Sequence, residues 1–203
     1  MQPRLRPIPG AIANVILLPF KVIVPYNKTG YDINSQWDQK VSDKNLNAQI
    51  QAYKDVFASG LFQSTHQGLV KVVQNLRADF HKKYTGELTI GSVMHGYIDF
   101  TYFYIQTDYL KKKKLKLAIV LNHQKAQFEL WLLGQTKSAQ KEYWEKLAST
   151  KWITSNEMPT YSIFEVVLLS SPDFDNVTSI THAIQKNFDA FSSEINRTLS
   201  AVD

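Results

Sequence analysis

The chain has no cysteine, which excludes disulfides, thiolate nucleophiles, iron–sulfur clusters and cysteine-bound zinc. A metal would therefore have to be held by histidine and carboxylates. His66, His81, His95 and His182 show no ligand spacing among themselves. Also missing are a glycine-rich phosphate loop, a Gly-x-Ser-x-Gly elbow and a His-Glu-x-x-His helix, so no recognisable route to nucleophilic or zinc-dependent hydrolysis is present. No cofactor is expected. Long hydrophobic runs are lacking too, because the stretch from Ala11 to Val24 is broken by Pro19 and Lys21 and is too short to span a bilayer. Arg4 and Arg6 precede that run as in a signal peptide, but no small-x-small cleavage site follows cleanly. The expectation is a cytoplasmic protein without a membrane partner.

What is present is the composition of an ordinary globular protein, and 203 residues suffice for one sizeable core. The formal charge of +5 and a pI near 9.2 admit a nucleic-acid partner without arguing strongly for one. Five of the seven prolines fall within the first 25 residues, which sets residues 1–45 apart as an extended or loosely packed arm. Residues 46–203 form the expected single domain.

Two helical stripes open that domain. Leu46, Ile50, Tyr53 and Phe57 recur at helical spacing after possible caps at Ser42 and Asp43, and Gly60 marks the stop. Leu69, Val72, Val73, Leu76 and Phe80 form the second stripe, with Ser64 or Thr65 as its cap and Gly86 beyond its end. Strand patterns follow: Glu87 to Val93, then the dense stretch from Met94 to Gly134 interrupted by Lys111 to Lys114. Thr136 caps a helix to about Ala148, Tyr161 to Leu169 is a further strand, and Pro172 and Asp175 introduce a long last helix. Ile180, Ile184, Phe188, Phe191, Ile195 and Leu199 give that helix its apolar face. The order is α-α-β-β-β-β-α-β-α, an α+β domain with helices covering one face of a mainly antiparallel sheet.

Alternation assigns the strand faces. With His123 to Ala126 as a four-residue hairpin loop, Leu121 meets Phe128 and Ile119 meets Leu130, while Asn122 meets Gln127, Val120 meets Glu129 and Ala118 meets Trp131. In the preceding strand Tyr102 and Tyr104 are placed toward the core. Tyr97, Asp99, Thr101 and Phe103 are then placed with Lys116, Asn122, Glu129 and Trp131 on a mixed face.

Four segments in order resemble a bacterial family of small uncharacterised cytoplasmic proteins, a domain of unknown function. They are Gly96-Tyr97-Ile98-Asp99-Phe100-Thr101-Tyr102-Phe103, Leu115 to His123, Phe128-Glu129-Leu130-Trp131-Leu132-Leu133-Gly134 and Gln140-Lys141-Glu142-Tyr143-Trp144. The resemblance spans about Leu46 to Leu199. It implies one domain and no established activity, and so supplies no catalytic residues.

The mixed face gives the candidate site: Tyr97, Asp99, Thr101, Glu129 and Trp131 would orient a small molecule or a protein partner with a few polar groups against aromatic walls. The competing reading is a metal-dependent nucleic-acid-processing enzyme, or a degenerate PD-(D/E)XK-like nuclease, in which Asp99 and Glu129 hold the metal. The Glu-x-Lys of that core is missing, since Trp131 follows Glu129 at the decisive position. His123 at the hairpin tip is a third catalytic candidate, though a turn histidine is more often simply solvated. Lys111 to Lys114 with Tyr102, Tyr104 and Tyr109 could meet phosphates and bases. Lysines in a strand connection are more often a solvated turn, so nucleic acid ranks below a small molecule or a protein.

Overall fold

A computed structural model of the protein describes residues 46–202. The arm expected over residues 1–45 and the caps at Ser42 and Asp43 lie outside these residues. Helix α1 (Leu46–Ala58) leads through Gly60 into α2 (Leu61–Lys83). Gly60 adopts φ 68, a left-handed conformation that glycine takes at no steric cost, and its carbonyl accepts from Ser64 N. The second helix therefore starts a turn before the expected cap, with Ser64 inside it. Its stripe is as read: Val72, Val73, Leu76 and Phe80 are buried and Leu69 is packed against them. Helix α1 carries the expected apolar stripe too, but Leu46, Ile50 and Tyr53 are exposed.

Five strands follow: β1 (Thr89–Gly96), β2 (Phe100–Gln106), β3 (Leu115–Asn122), β4 (Gln127–Gly134) and β5 (Phe164–Leu169). They pair antiparallel in chain order, β1-β2-β3-β4-β5, as a simple meander. Between β2 and β3 the lysine run is not a plain turn but enters a short helix, α3 (Asp108–Lys112). Thr107 caps it by accepting from Leu110 N at 3.1 Å, and Lys111 and Lys112 in the last turn suit the negative end of the helix. Helix α4 (Lys137–Lys146) begins after the expected cap Thr136, which accepts from Ala139 N. Helix α5 (Val177–Ala201) closes the domain, buried through Ile180, Ile184, Phe188, Ile195 and Leu199.

The helices lie on one side of the sheet. Their buried side chains join Phe103, Ile105, Leu117, Ile119, Leu121, Phe128, Leu130 and Leu132 in one core. The chain is thus a single α+β domain, with an antiparallel sheet in the expected order and one short helix added. The hairpin register is also as read, including Asn122 opposite Gln127 and Val120 opposite Glu129. Ala126, with φ 48, turns the chain back into β4.

The face assignment of β2 is the correction. Thr101, Phe103 and Ile105 stand opposite Leu121, Ile119 and Leu117, whereas Phe100, Tyr102 and Tyr104 stand opposite Asn122, Val120 and Ala118. Tyr102 and Tyr104 therefore leave the core, and Thr101 and Phe103 enter it. Both parities of this strand are rich in large apolar side chains, so alternation alone does not choose between them. The pairing with β3 does.

Candidate functional site

The sheet face turned away from the helices is built around a second apolar cluster. Ala118, Val120, Trp131 and Leu133 are its buried members, and Phe100, Tyr102 and Tyr104 pack against it from β2. No helix residue belongs to this cluster among the described residues. Period two explains the grouping, because every second residue of β2, β3 and β4 points the same way. Phe100 meets Trp131 edge-on at 5.1 Å between ring centres, and Tyr102 meets Tyr104 at 5.2 Å. Lys116 lies 3.5 Å above the centre of the Tyr104 ring. Burial pushes the Tyr102 hydroxyl up to about 12, with its bond to Tyr104 adding and Lys116 opposing. Burial also lowers the Lys116 ammonium, against the favourable charge of Tyr102.

Glu129 sits at one end of this cluster with only 2% of its surface exposed. Asn122 Nδ2 (3.3 Å), Lys125 Nζ (3.5 Å) and Gln127 Nε2 (2.5 Å) donate to its Oε1, and the Trp131 indole N–H donates to Oε2 at 2.8 Å. A buried charge is tolerable only with such a donor set. The hairpin supplies it: Asn122 and Gln127 face each other across the turn, Lys125 lies within the loop and Trp131 follows Glu129 on the same face. These donors use the carboxylate for structure and orient the indole.

A second carboxyl group, absent from the sequence expectations, completes the face. Glu165 on β5 stands directly opposite Trp131. Its Oε1 accepts from Ser162 Oγ at 2.8 Å, and it forms no ion pair among the described residues. Glu165 is exposed as a residue, but partial enclosure of its carboxyl pushes it above the usual range, the charge of Glu129 pushes it further, and Ser162 and Lys125 oppose the rise. Alternation on β5 was the signal that could have found it, but nothing in the sequence shows which strand borders β4.

The five residues expected to form one pocket fall into two places. Glu129 and Trp131 are together on the open face. Tyr97, Asp99 and Thr101 lie at the β1–β2 end of the sheet. Tyr97 takes φ 53 in the turn and is 91% exposed, and Asp99 is the exposed last residue of that turn, its carbonyl accepting from His123 N at 2.9 Å. Thr101 is fully buried, with Oγ1 2.9 Å from His123 Nε2. Asp99 is thus not among the partners of Glu129. Among the described residues no group of three or more His, Asp or Glu side chains is arranged to hold a metal ion.

His123 brings a further grouping that spacing did not reveal. His66 from α2 lies edge-on to it at 5.3 Å between ring centres and 6.4 Å from His95 of β1. Burial lowers the His123 imidazole, His66 and then His95 add to the effect, and the Ile98 carbonyl and Asp99 oppose it. Residues 66, 95 and 123 meet only because α2, β1 and the β3–β4 loop converge at one end of the sheet.

The fold and this face define a two-layer α+β domain with one sheet surface that no helix of the described residues covers. No helix of the described residues is long and apolar enough to cross a membrane. The chain belongs to a family described as a domain of unknown function (DUF7000), which it matches over residues 46–199. No curated protein and no solved structure is detectably similar to it.

Proposed function

We propose that the protein is a binding module whose open sheet face takes an apolar or aromatic small molecule, or a partner segment, carrying a cationic group. The observation that supports this reading is the pairing of aromatic side chains with a carboxyl group that forms no ion pair among the described residues: Glu165 lies opposite Trp131, whose ring meets Phe100 on its other side. A cation there would gain the charge of Glu165 and the ring faces together, and would relieve the repulsion between Glu165 and Glu129. Tyr102, Tyr104 and Val120 extend the apolar floor along the sheet. Tyr97, Asp99 and Thr101, grouped elsewhere, are not needed by this surface. The reading is preferred to metal-dependent processing of nucleic acid through Asp99 and Glu129, because four donors already occupy Glu129.

The test is a calorimetric screen of aromatic and aliphatic amines, basic peptides, magnesium, manganese and single-stranded oligonucleotides. The protein is compared with Glu165→Gln, with Asp99→Asn/Glu129→Gln and with the four lysines 111–114 changed to serine. A cationic ligand weakened about tenfold by Glu165→Gln, a loss of about 1.4 kcal/mol, is the expected result. Metal binding abolished only in the double carboxylate variant would replace this reading with the enzymatic one. Binding of oligonucleotide lost only in the lysine variant would replace it with nucleic-acid recognition.

A further inference from the structure

Helix α2 is anchored unevenly. All four of its buried side chains, Val72, Val73, Leu76 and Phe80, lie in its second half, and no residue from 61 to 71 is buried. Leu69 still packs partly against the core, and the turns before it reach the end of the sheet. There His66 touches His95 and His123, while Phe62 stacks on His66, Phe57 packs on Phe62 and Tyr53 on Phe57. One line of rings thus runs from α1 through His66 to the β3–β4 hairpin.

The three imidazoles differ in exposure: His95 on β1 is exposed, while His66 and His123 are partly enclosed. His66 Nε2 is sealed from water and has no hydrogen-bond partner among the described residues. His123 is tied through Nε2 to the hydroxyl of the buried Thr101 and bonds the backbone at Ile98. The groups acting on His123 are His66 from α2, His95 from β1, and Asp99 and the Ile98 carbonyl from the β1–β2 turn. Lys125 of the same hairpin is turned to Glu129 on the other face. Two histidines therefore act against protonation, and one carboxylate with one carbonyl acts for it.

We propose that His66, His95 and His123 form a proton-sensitive clasp that holds the first half of α2, and α1 with it, against the end of the sheet and releases both when the rings gain charge. The sign follows from linkage. The released state binds protons at ordinary histidine affinity, so release grows as pH falls below about 6.5 and is absent above it. His66 is the centre of the device, since it alone touches both other rings.

The experiment is amide hydrogen exchange on the full chain at pH 7.5 and 5.5, expressed as protection against intrinsic exchange at each pH. Protection over residues 61–71 is expected to fall about tenfold more than over residues 72–83, which corresponds to one pKa unit of linkage. His66→Phe keeps the ring packing without a titrating group and is expected to abolish the difference. His95→Gln and His123→Gln, the latter still able to bond Thr101, are each expected to reduce it and carry the comparison should His66→Phe not fold. An equal fall in both halves of α2 of the unmodified protein overturns the proposal. So does a differential fall that survives all three substitutions.

Discussion

The two faces of one sheet show how differently the same strands can be used. On the helix side Phe103, Ile119, Leu121, Phe128, Leu130 and Leu132 are fully enclosed by α2 and α5 and neighbouring segments, so almost every side chain is aliphatic or Phe. On the open side the buried apolar members are few, Ala118, Val120, Trp131 and Leu133, and a carboxylate, Glu129, is kept among them by its hairpin donors. The first face derives its stability from apolar area, at about 25 cal/mol per Å². On the second, a smaller apolar area is combined with directed hydrogen bonds, the arrangement expected of a surface that orients something else.

The comparison is sharpest in adjacent residues of β3. Ile119→Ala should destabilise by about 2–5 kcal/mol, since it opens a cavity in the enclosed core. Val120→Ala should cost about 1.5 kcal/mol, two methylenes at about 0.8 kcal/mol each. Denaturant unfolding measures both, and equal losses would mean that the faces are not energetically distinct. Glu129→Ala should cost about 2–3 kcal/mol, because it leaves the Trp131 N–H and the Asn122 and Gln127 amides facing an empty site. A loss below about 0.5 kcal/mol would show that water replaces the carboxylate freely and that this end of the face is open.

Thr101→Val tests a buried polar group in the enclosed face. It keeps the shape and removes the bond to His123, and should cost about 1 kcal/mol in the same assay. The smallest effect is expected at Glu165, and its sign is opposite. A carboxyl group raised by folding disfavours the folded state at neutral pH, and that penalty fades as pH falls through the raised value toward 4.5. Glu165→Gln should therefore raise the unfolding midpoint slightly at pH 7, with no difference from the unmodified protein below about pH 4. A stabilising effect that persists in acid would separate the gain from the charge.

Much of the architecture is legible in the sequence because it is local. The β3–β4 hairpin has a short loop and two strands whose strongly apolar residues match in only one register, and the last helix repeats its apolar residues over six turns. The face of β2 is not legible, since Phe100, Tyr102 and Tyr104 are as apolar as Thr101, Phe103 and Ile105 taken together. Its choice rests on pairing with β3 across a connection that contains a helix of its own. The candidate site shares that weakness. Glu129 and Trp131 follow from the hairpin, whereas Tyr97, Asp99 and Thr101 were joined to them through the wrong parity of β2. Glu165 and the meeting of His66, His95 and His123 depend on strand order and helix packing. An amphipathic stripe on α1 likewise says which side is apolar but not what covers it.

The strand order in chain order has a kinetic consequence. Each strand can pair with its predecessor as soon as it leaves the ribosome, so the sheet can be zipped from β1 to β4 through short closures and extended to β5 across the longer connection that holds α4. Helix α2 precedes the sheet and can cover part of its aliphatic face at once, but the rest waits for α5 with Ile180, Ile184, Phe188, Ile195 and Leu199. At roughly 5–20 residues per second, the ~30 residues after β5 take about 1.5–6 s to synthesise. During that interval the nascent chain displays a finished sheet with the part of its core that α5 fills left uncovered. A chain halted after Leu169 should therefore be the species that chaperones bind and that aggregates, and supplying α5 as a separate peptide should rescue it.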